Sequence, residues 1–248
     1  MEFGIQLSSL KPLLDTYDHV SDCCRKLYDM GYRYTQIQWV SRNLEAEKIS
    51  EIVKDSGLIS IGIQEKYDEL SDHFDYFSAL NRHAAIKDLC FSTIPERFMS
   101  EKGLEAFINL MKAHAKRAQE SGMTVSFHPT KGDFRKIGNQ YACGILFDRL
   151  PEIGIVPDTC QLLRAGVNVE AFVQKYASRI RIVHFKDMTD LSDSGELTSV
   201  GSGITDFASI FGLLKNSACS YVLAEQETWK TDPFEEMKKS LYYLKTLS

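Results

Sequence analysis

The sequence is poor in punctuation. Six prolines are scattered through 248 residues and no Gly/Ser tract occurs, so nothing marks a linker and residues 1–248 read as one domain. No run approaches the ~18 apolar residues that span a bilayer. The start, MEFGIQLSSL, lacks the basic stretch and long apolar core of a signal peptide. None of the six cysteines (Cys23, Cys24, Cys90, Cys143, Cys160, Cys219) forms a C-x-x-C pair; they read as small core residues in a reducing compartment. These absences predict a cytoplasmic chain without a membrane partner. A basic stripe is missing too: 29 Lys and Arg are mixed with 34 Asp and Glu for a net charge of −5, which argues against a nucleic-acid partner.

What is present is alternation. Short β-rich runs and longer amphipathic ones follow each other throughout: FGIQL, then YDHVSDCCRKLYDMGY; YTQIQ, then LEAEKISEIVKDSG; ISIGI, then YDELSDHFDYFSALNRHAA as one helix. DLCFS precedes EKGLEAFINLMKAHAKRAQESG, MTVSFHP precedes a helix over QYACGILFDRL, and GIVPD precedes VEAFVQKYASR. IRIVHF with TDFASIFGLLKNS, and YVLAEQ with FEEMKKSLYYLKTL, complete the set. Strands separated by helices pair in parallel through right-handed crossovers. Eight such units predict an α/β fold, a single (βα)8 TIM barrel around a parallel eight-stranded barrel. A doubly wound sheet is the competitor, but GIQLSSL has no glycine-rich phosphate turn.

In such a barrel, chemistry gathers where strands end. The first three strands end in Gln6, Gln36 with Gln38, and Gln64, with Trp39 just beyond the second. The last four end in His128, Asp158, His184 and Glu225. Singly these are weak signals: a strand-end histidine is commonly structural, and Asp158 before Thr159 serves equally as the cap of the next helix. Glu225 after the apolar YVLA is costly inside a barrel unless paired or metal-bound. Together, mixed nitrogen and oxygen donors from adjacent strands suit a catalytic divalent ion.

The segment DTCQLLRAGVNVEAFVQKYASRIRIVHFKDM, with VGSGITDF, LAEQE and SLYYLKTL, resembles the xylose-isomerase-like barrel superfamily, specifically its sugar phosphate isomerases/epimerases. The specific motifs fall between Phe127 and Gln226; the first half matches in element order and in GIQLSSL. The resemblance implies a divalent metal ion (Mn, Mg, Co or Zn) held by Asp158, His184 and Glu225. The family's fourth ligand is usually a glutamate ending strand five, where this chain has His128. Many relatives carry Tyr-His-Asn-His-x-x-Glu-Phe there; FHPTKGDF keeps the first His, so His128 is the better placed donor and Asp133 the alternative. Gln161 stands where relatives often have His or Trp in contact with substrate.

The implied chemistry is isomerisation or epimerisation of a sugar or polyol, by proton transfer next to a carbonyl through an enediolate. Glu225 is the candidate base, and His128 fills the place of the second glutamate of two-glutamate epimerases. That exchange also opens elimination, as in relatives that dehydrate keto-inositols or cleave keto-sugar conjugates; a non-catalytic barrel with a decayed site is the third reading. Gln6, Trp39, Gln161 and Lys186 are the candidate substrate contacts, with Trp229 as another ring able to stack on a sugar. Lys186 and Asp187 read alternatively as a surface ion pair. Gly201 and Gly203 suggest a tight turn before a helix capped by Thr205 or Asp206. Phe74, Tyr76 and Phe77 suit either a homodimer interface or core packing.

Overall fold

The structure, a computed structural model, describes residues 1–192 and 195–248. Its main sheet has β1 (Glu2–Gln6), β2 (Tyr34–Ile37), β3 (Ile59–Lys66), β4 (Asp88–Ser92), β5 (Thr124–His128), β6 (Gly154–Ile155), β7 (Ile182–Phe185) and β8 (Tyr221–Ala224). Every pair is parallel, in the order β6-β5-β4-β3-β2-β1-β8-β7. A single parallel bridge between Asp158 and His184 joins the two ends. This is the expected (βα)8 barrel. Its weak seam lies between β6 and β7, where Pro157 has no backbone N–H to give to a ladder.

The helices are α1 (Tyr17–Met30), α2 (Ala46–Asp55), α3 (Tyr67–Asp72), α4 (Phe74–Leu80), α5 (Glu101–Glu120), α6 (Ala142–Arg149), α7 (Thr159–Arg164), α8 (Val169–Tyr176), α9 (Phe207–Leu214) and α10 (Pro233–Thr246). Helix α1 shows why they form. The Thr16 hydroxyl accepts the His19 N–H at 3.2 Å, and Val20, Cys23, Cys24 and Leu27 bury one stripe at helical spacing. Burying a side chain such as Leu27 contributes roughly 2 kcal/mol. Gly31, at φ 113°, ends the helix in the left-handed region that a side chain would strain.

The acidic, aromatic run is two helices, not one: His73, at φ −125° and ψ 35°, breaks it between α3 and α4. The break turns Phe74 and Phe77 into the core, where both are buried, so core packing accounts for them. Tyr76 is half-buried and donates its hydroxyl to the Leu44 carbonyl. Gln140–Tyr141 pairs antiparallel with Lys136–Ile137 instead of starting a helix. TCQLLR forms the extra helix α7, and Asp187–Met188 pairs with Leu197–Thr198. All six cysteines are free and buried. Among the described residues, no helix is long and apolar enough to cross a membrane.

Two apolar bodies result. The larger lies between strands and helices. The smaller, Ile61, Cys90, Val156, Ile182 and Leu223, fills the barrel. Side chains alternate across a strand, so His184 and Lys186 share the inward face with Ile182, and Glu225 and Glu227 share it with Leu223. A charged layer therefore stands directly above the apolar plug.

Candidate metal centre

His128, Asp158, His184 and Glu225 each offer one donor atom, and these atoms all lie within 4.8 Å of one another; all four residues are buried. Donors of a tetrahedral ion such as zinc lie about 3.4 Å apart, so the widest-spaced pair would have to close by about 1.4 Å. His128 and His184 stack at 5.1 Å between ring centroids. His128 Nε2 is 3.7 Å from Asp158 Oδ2. His184 Nδ1 is 2.9 Å from Glu225 Oε2, without the alignment of a hydrogen bond. Both His128 ring nitrogens, Asp158 Oδ2, His184 Nδ1 and Glu225 Oε2 are buried with no hydrogen-bond partner among the described residues. Buried polar atoms are normally satisfied; one unpartnered donor atom from each of the four residues fits a shared cation.

Asp158 is placed for both of its readings. Oδ1 accepts the Gln161 N–H at 2.9 Å and caps α7, while Oδ2 faces the cluster. Glu225 is similarly split, with Oε1 accepting the Ser8 hydroxyl at 2.8 Å. Burial opposes the charge on Glu225, but Lys186, His184 and His128 outweigh it and hold its carboxyl well below the usual range.

Lys186 belongs to the site, not the surface. It is buried, with Nζ 3.6 Å from Asp158 Oδ2, 3.9 Å from Glu225 Oε1 and 2.5 Å from Glu227 Oε1. Burial disfavours its charge, yet Glu225, Asp158 and Glu227 together raise its pKa. Glu227 was not foreseen from the sequence, although the two-residue alternation from Leu223 points to it. Its side chain is 21% exposed, and burial followed by repulsion from Glu225 pushes its pKa up to about 7.

Other expected residues lie elsewhere. Asp133 is not brought to the cluster: Oδ2 accepts the Thr130 N–H at 2.7 Å and hydroxyl at 2.9 Å, and Oδ1 accepts the Ile94 N–H at 2.7 Å. Its carboxylate is consumed in fixing its own turn. Gln161 turns Oε1 to the Lys131 N–H at 2.9 Å. Trp39 sits on the rim at φ 58°, its backbone N–H donating to Glu65 Oε1 at 2.8 Å and its ring 4.0 Å beneath Lys11 Nζ. Glu65, a second unforeseen carboxyl, is pushed up to about 7 by burial. Asp187 is also buried, and accepts N–H groups of Gly201, Gly203 and Thr205 at 2.8–3.2 Å. At Gly203 a Cβ would lie 2.2 Å from the Met188 carbonyl oxygen, so this packed turn requires glycine. Asp206, not Thr205, caps α9.

Gln6 Nε2 donates to Gln36 Oε1 at 2.9 Å, and His184 Nε2 lies 2.8 Å from the same oxygen. The free ends Gln6 Oε1, Gln36 Nε2 and Gln38 Oε1 are buried without partners among the described residues, as is Trp229 Nε1. These are the donors and acceptors a polyhydroxylated molecule uses.

The chain belongs to the xylose isomerase-like TIM barrel family, whose model matches residues 24–247. Among curated proteins it is similar to inosose dehydratase of Clostridium beijerinckii, 28% identical over 146 residues, which are 52% of this chain and 49% of that protein. The chain thus spans about half the length of the curated relatives it matches. In structure it resembles a sugar phosphate isomerase/epimerase from Parabacteroides distasonis, with a TM-score of 0.79 at 15% identity over 98% of this chain and 93% of that one. It also resembles the IOLI protein solved with a bound zinc atom, with a TM-score of 0.76 at 13% identity over 100% and 98% of the two chains.

Proposed function

We propose that this chain is a divalent-metal-dependent isomerase or epimerase that moves a proton next to the carbonyl of a sugar-like polyol. The observation that carries the reading is the convergence of buried, unpartnered donor atoms of His128, Asp158, His184 and Glu225 at the C-terminal end of the barrel. Those four residues would hold the ion, which when bound polarises neighbouring substrate oxygens and stabilises negative charge beside the carbonyl. Two imidazoles and two carboxylates suit Zn²⁺ or Co²⁺ better than Mg²⁺.

Glu225 is held ionised and anchored by Ser8, so it is able to accept the proton from the substrate carbon. His128 would either complete the ion's ligand set or, standing where two-glutamate epimerases have their second glutamate, return a proton to the opposite side of that carbon. Lys186 balances the carboxylates and keeps Glu225 anionic. Gln6, Gln36 and Gln38 present free amide ends to substrate hydroxyls, with Trp39, Gln161 and Trp229 at the rim. Six reduced, buried cysteines fit a cytoplasmic setting.

A second reading, dehydration of a keto-inositol or keto-sugar, is favoured by the similarity to inosose dehydratases and by the Lys186–Glu227 pair. Glu227 carries a proton near neutral pH, which is what protonating a departing hydroxyl requires. Incubating metal-loaded protein with inososes and ketoses in D₂O separates the two. Deuterium at carbon with no loss of water supports the first reading, and loss of one water supports the second. Substrates returned unlabelled and unchanged by a protein that also binds no divalent metal would sink both.

A further inference from the structure

We propose that Gln36 is a positioning residue that keeps the His184 proton on Nε2 and so leaves the Nδ1 lone pair for the cluster. Only the consequence for metal affinity rests on the reading above. Gln36 Oε1 lies 2.8 Å from His184 Nε2 and 2.9 Å from Gln6 Nε2. All three side chains are fully buried, so water does not substitute for these partners. An amide oxygen only accepts, and Gln6 already gives it one N–H; the ring nitrogen at the same oxygen must therefore bear hydrogen. A neutral imidazole has one N–H. Nδ1 is then the atom with the lone pair, and it is the atom 2.9 Å from Glu225 Oε2.

A lone pair facing a carboxylate at that distance is repulsive without a cation between them, so the neutral ring with its proton on Nε2 is the form suited to an ion-bound site. The barrel sets the device in place. Gln6 and Gln36 are register partners on β1 and β2, both pointing inward, and Gln36 reaches across the interior to His184 on β7. Turning both amides over would reverse the outcome: an N–H would meet Nε2, the proton would move to Nδ1, and His184 would lose its ligand atom.

The two arrangements respond oppositely to Gln36→Glu. A carboxylate at position 36 accepts from both Gln6 Nε2 and His184 Nε2, so Glu preserves the proposed arrangement. In the reversed one it would place an acceptor against a lone pair. Gln36→Leu removes the acceptor. Second-sphere partners of a ligating histidine are worth roughly 10–100-fold in metal affinity. Zn²⁺ affinity by chelator competition should therefore fall by about that factor in Gln36→Leu and be retained or tightened in Gln36→Glu.

Independently, ¹⁵N spectra of ring-labelled histidine, with His184→Ala identifying the signal, should show Nε2–H in the metal-free wild type. They should also show loss of that preference in Gln36→Leu. An unprotonated Nε2 in the wild type, or equal Zn²⁺ affinity in wild type and Gln36→Leu, would overturn the proposal. If Gln36→Leu does not fold, Gln36→Glu and the wild-type spectrum still decide. A wild type that shows Nε2–H but binds no Zn²⁺ supports the proton assignment and defeats only the metal reading.

Discussion

Asp158 and His184 form the one backbone bridge between β6 and β7, with the His184 N–H donating to the Pro157 carbonyl at 2.9 Å. The same two residues offer donor atoms to the cluster. The seam of the barrel and the candidate metal centre are therefore one place, and an ion gripping both side chains would clamp the closure.

That coupling predicts a stability readout. A ligand bound only by the folded state, present at a hundredfold excess over its Kd, adds about 2.7 kcal/mol. For a chain of this size the melting point should rise by roughly 5–10 °C. Calorimetry of chelator-treated protein with and without added Zn²⁺ checks this. No shift at saturating metal would separate the ion from the seam.

Asp158→Asn tests the division of labour inside one carboxylate. Asparagine caps helices as well as aspartate does, so α7 should survive and the metal-free melting point should move little. The facing atom loses its charge, and Zn²⁺ affinity should drop by tenfold or more. A large fall in metal-free stability would show that the charge on Oδ2 already serves the fold by balancing buried Lys186, 3.6 Å away.

Much of this site is legible in the chain because strand parity is. His128, Asp158, His184 and Glu225 end successive strands, and their types announce a cation. Lys186 and Glu227 sit two residues beyond two of them on the same inward face, so the signal that places Glu225 also contains Glu227. Other features depend on partners remote in sequence. Asp133 reads as a donor until Thr130 and Ile94 are seen to occupy its oxygens. The break at His73 and the pairing of Lys136–Ile137 with Gln140–Tyr141 escape a helical pattern, because apolar spacing continues across a kink and tertiary packing decides where helix stops.

Two substitutions divide chemistry from binding. Glu225→Gln keeps the acceptor for Ser8 but removes the base, so turnover should fall by at least 10³-fold in protein that still folds. His184→Ala removes a ligand, and metal content measured after dialysis should fall towards zero. Near-native turnover by Glu225→Gln on the true substrate would end its candidacy as base.

At the opposite end of the barrel Asp88 predicts a pH dependence unrelated to the metal. It is buried, accepting the Thr124 hydroxyl at 2.8 Å and the Ser126 hydroxyl at 2.5 Å, with no ion pair within 4.0 Å among the described residues. Burial pushes its pKa from 3.8 up to about 6, against the opposing effect of those two hydroxyls. Between these values the folded chain keeps a proton that the unfolded chain has released. Stability contributed by Asp88 is therefore complete below about pH 4, falls as pH rises, and is lost above about pH 6. Two pKa units correspond to roughly 3 kcal/mol at most. Asp88→Asn is neutral throughout, so urea midpoints of metal-free protein should fall less between about pH 4 and pH 7 in the variant than in the wild type. Parallel curves for the two proteins would mean that Asp88 is ionised in the fold across this range, and that Ser126 and Thr124 stabilise its charge more than burial opposes it.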